Sequence, residues 1–113
     1  LPKIDNRYKI HNELVNRILI LLSSNKLGVY WGNPTGAVKT ANGHFQRYGL
    51  VGSSDIIGIN NTGKFIAIEI KTGATSVQSK HQKNFQKMIE KQGGFYTVIR
   101  SEEEFSELSS LLL

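Results

Sequence analysis

The chain contains no cysteine. That excludes disulfide stapling and thiolate metal sites, and it suits a reducing compartment such as the cytoplasm. Long apolar runs are missing too: the run from Ile18 to Leu22 covers five residues inside an amphipathic segment. A membrane span needs roughly 20 apolar residues, so no membrane role is expected. The N-terminus carries no signal-peptide pattern, which again points to a cytoplasmic protein. Repeats, low-complexity tracts and linkers are absent, and 113 residues read as one domain able to bury a core. Acids are scarce, nine against 14 Lys and Arg, giving a formal charge of +5. Four of the nine, Glu102, Glu103, Glu104 and Glu107, lie together near the end, so the remainder is more basic than the total implies. A polyanion is the natural partner for such a chain.

What is present falls into alternating helical and extended patterns. Ile10, Leu14, Val15, Ile18, Leu21 and Leu22 follow helical spacing, predicting a first helix from Asp5 or Asn6 to Ser24. Val29-Tyr30-Trp31 reads as a short strand. The Gly- and polar-rich stretch from Gly32 to Gly52 reads as mostly loop, with Phe45 to Tyr48 extended. Asp55 to Asn60 and Lys64 to Lys71 are the clearest strands. A second helix starts near Ser79, where Ser79-x-x-Gln82 fits a capping box, and stops at Gly93-Gly94. Phe95 to Ile99 forms another strand, and Ser101-x-x-Glu104 reads as the cap of a last helix ending in Leu111-Leu112-Leu113. Those leucines should pack on the domain itself or on a second subunit. The expected fold is a small α/β domain with a mixed sheet flanked by helices, in the order α-β-β-β-α-β-α with one further extended segment before the central hairpin.

The central hairpin carries the chemistry. Asn61-Thr62-Gly63, with glycine in the left-handed position, is a favoured three-residue connection. It pairs Asn60 with Lys64, and counting back sets Asp55 directly opposite Glu69, on one face with Lys71. Opposed carboxylates repel each other, and the flanking Ile56, Ile57, Ile59, Ile66, Ala67, Ile68 and Ile70 predict burial on both faces. An ordinary surface ion pair with one spare acid fits that setting poorly. An oxygen-preferring divalent cation removes the repulsion, because Mg²⁺ takes one or two carboxylates plus waters and phosphate oxygens. Lys71 has no lone pair for a metal, but it can position or deprotonate a water, or neutralise charge on a phosphate. Phosphodiester hydrolysis needs both services. No organic cofactor enters this reading.

Four ordered blocks, Gly52 to Ile59, Phe65 to Thr72, Ser79 to Gln82 and Gly93 to Ser101, resemble the VRR-NUC domain of the PD-(D/E)XK nuclease superfamily. The resemblance runs continuously over residues 50 to 103 and extends to Glu13 and the Asn33-to-Gly36 loop. It implies a standalone member of phage or bacterial type: a Mg²⁺- or Mn²⁺-dependent DNA endonuclease with Asp55, Glu69 and the Ile70 carbonyl as metal ligands and Lys71 as catalytic lysine. It also implies that Glu13 brings an acid to the metal from the first helix, and that Gln82 touches the site. Standalone members resemble Holliday-junction resolvases in forming homodimers and cutting branched DNA, which places the activity in DNA repair. Ser54 stands where the superfamily pattern has proline.

Several residues read two ways. Glu13 is equally a solvated helix residue, and Gln82 already has a role in the capping box. His81 reads as an inert surface histidine. Lys80, Lys83, Lys87 and Lys91 form one basic stripe, either a solvated face or a set of phosphate contacts. Lys39, His44 and Arg47 are candidate DNA contacts in the long loop, whereas Tyr30 and Trp31 read as core. Arg100 reads as a phosphate ligand or as a partner of Glu103 or Glu104. The expectation is a structure-selective endonuclease acting as a homodimer. The alternatives are a sequence-specific restriction-like endonuclease and a catalytically silent DNA-binding module.

Overall fold

The computed structural model describes residues 6–113, so the earlier of the two helix starts, Asp5, lies outside the described residues. Helix α1, Asn6–Ser24, is followed by strands β1 (Gly28–Gly32), β2 (Gly36–Lys39), β3 (Phe45–Tyr48), β4 (Ile56–Asn60) and β5 (Phe65–Ile70). Helix α2 (Lys80–Lys91), strand β6 (Phe95–Ile99), a 3₁₀ turn at Glu102–Glu104 and helix α3 (Phe105–Leu111) complete the chain. The main sheet has the order β1-β4-β5-β6. Its first two pairings are antiparallel, and β5 with β6 is parallel, so the sheet is mixed as expected.

The side-chain period of a strand decides what covers each face. Ile66, Ile68 and Ile70 of β5 point to the side where Ile18 and Leu22 of α1 pack together with Phe105 and Leu108 of α3. Ala67 points the other way, into a smaller cluster with Phe85 of α2 and Tyr96 of β6. Burying each of these large side chains is worth about 1.5–3 kcal/mol. Because β5 is central and covered on both faces, it reads as a continuous apolar run interrupted only by Glu69. At the chain end, Leu108 and Leu112 are buried in the domain's own core, whereas Leu111 and Leu113 are exposed.

The β4–β5 turn has the expected form. Gly63 takes φ of +86°, and the register runs from Ile59 opposite Phe65 to Ile56 opposite Ile68. Asn60 locks the turn, since its side-chain oxygen accepts from the backbone N–H of Thr62 and of Lys64 and from the Thr62 hydroxyl.

Three local expectations are corrected. Trp31, read as core, is exposed on the edge strand β1. Gly36–Lys39, read as loop, pairs antiparallel with β3 as a separate two-stranded sheet. Its sequence lacks β-branched alternation, and the partner strand is what holds it extended. A Cβ at Gly36 would crowd the outer end of the exposed Tyr48 ring, which would have to shift. Ser101 makes no side-chain cap to the last helix. A 3₁₀ turn intervenes, and the Glu104 carboxylate accepts instead from the Arg100 backbone N–H. Among the described residues no helix is long and apolar enough to cross a membrane.

Candidate active site

Asp55 lies in the bend just before β4 and Glu69 one residue before the end of β5, so the β4–β5 register brings them face to face. The Asp55 backbone is set by Asn33, whose N–H donates to the Asp55 carbonyl at 2.8 Å. The Asn33 side-chain amide also holds the Ser53 hydroxyl and the Ser54 carbonyl. Ser54 is fully buried and donates its hydroxyl to the Ile56 carbonyl at 2.9 Å. On the side chain, Asp55 Oδ2 accepts from the Ile70 N–H at 2.8 Å. The N–H and C=O of one strand residue point to the same neighbour, so the Ile70 carbonyl also faces the Asp55 side.

Glu69 is 3% exposed. One carboxyl oxygen, Oε1, accepts from Gln82 Nε2 at 3.4 Å, while Oε2 is buried with no hydrogen-bond partner. Burial pushes the Glu69 carboxyl up to about 9, reinforced by the hydrogen bond and charge of Asp55 and opposed by the Lys71 ammonium. Tyr96 is raised to about 12, first by burial, then further by Glu69 and Asp55, against a lowering hydrogen bond from Gln78. The two carboxyls thus face each other with Lys71 as the cation that acts on Glu69, and one Glu69 oxygen has no hydrogen-bond partner.

Gln82 ties this pair to Lys71. Its Oε1 accepts from Lys71 Nζ at 2.8 Å and from the Ser79 backbone N–H at 2.9 Å. The Ser79 hydroxyl returns a contact to the Gln82 N–H, completing the capping box. The same glutamine therefore starts α2 and holds the lysine beside the acids. The capping box is formed as expected, and the same side chain contacts both Glu69 and Lys71.

Glu13 does not join them. It is exposed, and the α1 residue that reaches the acids is His11, with Nε2 at 3.3 Å from Asp55 Oδ2. The reason is helical geometry: two residues along an α-helix is a turn of about 200°. Stepping back from the buried Leu22 and Ile18 through Val15 leads to His11, so the periodicity of the inner stripe marks it and leaves Glu13 outside. Asn33 had no comparable signal. With Asn12, Val15, Gly32 and Pro34, residues His11, Asn33 and Asp55 line a pocket of about 160 Å³.

The basic candidates lie on α2 and on the β2–β3 hairpin. Lys80, Lys83 and Lys87 are exposed along α2, and none of them forms an ion pair with an acid among the described residues. Lys39 and Arg47 lie on the β2–β3 hairpin, where Lys39 opposes Phe45 and Ala37 opposes Arg47. All four side chains therefore share one face of a fully exposed ribbon. After the ribbon the chain returns to α2, where Gly52, at φ of +83°, lies so close to the His81 carbonyl that a Cβ would collide with it.

Among the described residues no group of three or more His, Cys, Asp or Glu converges as a ready-made metal cage. Two carboxyls, one of them with an orphaned oxygen, and an adjacent backbone carbonyl still suit a hard cation that keeps most of its water. No model of a known protein family matches the chain, and no curated protein is significantly similar to it.

Proposed function

We propose that this chain is a Mg²⁺- or Mn²⁺-dependent endonuclease of the VRR-NUC type, hydrolysing phosphodiester bonds in branched DNA such as Holliday junctions. The observation that carries this reading is the buried Glu69 carboxyl, its Oε2 without a partner, set against Asp55. A carboxyl in that position costs about 1–3 kcal/mol in missing hydrogen bonds alone, and a cation between the two acids offsets it.

Asp55, Glu69 and the Ile70 carbonyl are the ligands in this reading. The ion supplies Lewis-acid polarisation of a phosphate oxygen and a water nucleophile at neutral pH. The chain's own residues do the rest. Glu69 gives up its proton when the cation binds, since a ligating carboxyl must be ionised. Lys71, held at 2.8 Å by Gln82, presents its ammonium to charge developing on the phosphate. Lys80, Lys83 and Lys87 serve as sequence-independent phosphate contacts, and Lys39 and Arg47 with Phe45 make a basic ribbon of the kind a DNA groove accepts.

One subunit offers one such site, and symmetric cutting of a junction requires two, so the acting form is a homodimer. It works in the cytoplasm of a bacterium or a phage-infected host. The test is cleavage of a four-way junction against linear duplex of matched sequence, with and without EDTA. Junction cutting that EDTA abolishes is the expected result. Sequence-dependent cutting of the linear duplex would instead favour a restriction-like enzyme. Binding without cutting, and without calorimetric uptake of Mg²⁺ or Mn²⁺, would identify a silent binding module.

A further inference from the structure

We propose that His11 is a positioning residue of the metal-binding pair, holding one oxygen of Asp55 so that the other stays available to the cation. The inference rests on the nuclease reading above and adds to it a residue that the expected Asp, Glu and Lys set does not contain.

Asp55 precedes β4 and has no strand ladder of its own to fix its side chain. Its orientation comes from two donors on different elements, and both meet the same atom. The Ile70 N–H of β5 reaches Oδ2 at 2.8 Å, and His11 Nε2 of α1 reaches it at 3.3 Å. A carboxylate oxygen only accepts, so the imidazole is the donor in this contact. On the other edge of the ring, Nδ1 lies 3.4 Å from the Asn12 side-chain oxygen. The imidazole is held in a setting only 28% exposed and lines the pocket beside Asp55. Among the described residues no N–H reaches Oδ1, so its lone pairs are open to a ligand once Glu69 is ionised.

The residue type fits the task. An acid at this place would set a third carboxyl beside two that already face each other, and an apolar residue would leave Oδ2 with a single donor. Outer-shell hydrogen bonds of this kind orient ligating groups, and their loss lowers metal affinity about 10–100-fold.

Calorimetric titration of Mn²⁺ into the full chain, at one fixed pH, reads the proposal directly. His11→Ala should weaken Mn²⁺ binding about 10–100-fold, and His11→Gln, which keeps a side-chain N–H donor, should recover most of it. Circular-dichroism melting of both variants checks that the fold is kept. Pulsed EPR of the Mn²⁺-loaded wild type should show no directly coordinated nitrogen. The proposal is overturned if His11→Ala binds Mn²⁺ as tightly as wild type, or if Gln does no better than Ala. A directly bound nitrogen that disappears in His11→Ala also overturns it, because His11 is then a ligand. A wild type that takes up no Mn²⁺ overturns the nuclease reading as well, an outcome distinct from a wild type that binds and is indifferent to position 11.

Discussion

Replacing Glu69 by glutamine isolates the electrostatic cost built into the site. In the folded chain the Glu69 carboxyl is pushed up to about 9, against 4.5 for an unperturbed glutamate. Between those values the unfolded chain has released this proton while the folded chain keeps it. Folding stability therefore falls as pH rises from 4.5 toward about 9, and the full contribution is present only below 4.5. Each pH unit is worth about 1.4 kcal/mol, so by pH 7 the ceiling is about 3 kcal/mol. The amide in Glu69→Gln has nearly the same shape, keeps an acceptor for Gln82 Nε2, and keeps a donor toward Asp55 at every pH, where the carboxyl loses its own on ionising. In EDTA the variant should match wild type near pH 5 and exceed it by about 1–3 kcal/mol at pH 8, read from denaturant melts across that range. Added Mn²⁺ should reverse the ranking: it stabilises wild type with release of a proton and leaves the variant nearly unmoved. A wild-type-to-variant difference that is independent of pH, or a variant less stable than wild type at pH 8, refutes the reasoning.

Asp55→Ala and Lys71→Ala should abolish cleavage while leaving the fold, read by circular dichroism, and most DNA binding, measured by fluorescence anisotropy, intact; wild-type cutting rates with Mg²⁺ in either variant would refute the site assignment. Ser79→Ala removes the N-cap of α2 and should cost about 0.5–2 kcal/mol with little change in rate. Gln82→Ala removes the cap partner and also frees Lys71, so its kcat should fall at least about tenfold below that of Ser79→Ala. Lys39→Ala or Arg47→Ala should each reduce the slope of log binding constant against log salt by about 1, across all DNA sequences tested. Gly52→Ala combines a left-handed backbone with a Cβ aimed at the His81 carbonyl, and should cost more than about 1 kcal/mol in a urea melt.

The sheet core and the opposed acids were legible because both depend on local signals. A three-residue turn ending in glycine sets the register, and register alone decides that Asp55 meets Glu69. The Ser79–Gln82 box is equally local. The misses share the opposite property. Gly36–Lys39 becomes a strand only through its pairing with Phe45–Tyr48. The Ser101 box lost to a 3₁₀ turn, in which Glu104 finds the N–H of Arg100 rather than that of Ser101. Asn33 acts across 20 residues on Ser53, and no local pattern marks such a contact. His11 lies in the period of the inner stripe of α1, whereas the resemblance points by residue type to Glu13, which faces outward.

The arrangement around Gln82 makes the fold and the site one structure. Its Oε1 serves the N-cap backbone and Lys71 at once, and its Nε2 serves Glu69. The start of α2, the position of the lysine and one oxygen of the buried acid are thus set by a single side chain. A purely structural capping box gains nothing from a buried carboxyl at its other end. An apolar residue at position 69 would extend the β5 run, spare the cost of an orphaned oxygen and relieve the repulsion from Asp55. That the chain places glutamate there, 3% exposed and tethered to the lysine through the cap, is intelligible if a cation completes the site. The pH slope of Glu69→Gln is therefore the sharper test of this logic, because it reads the unpaired carboxyl before any substrate is chosen.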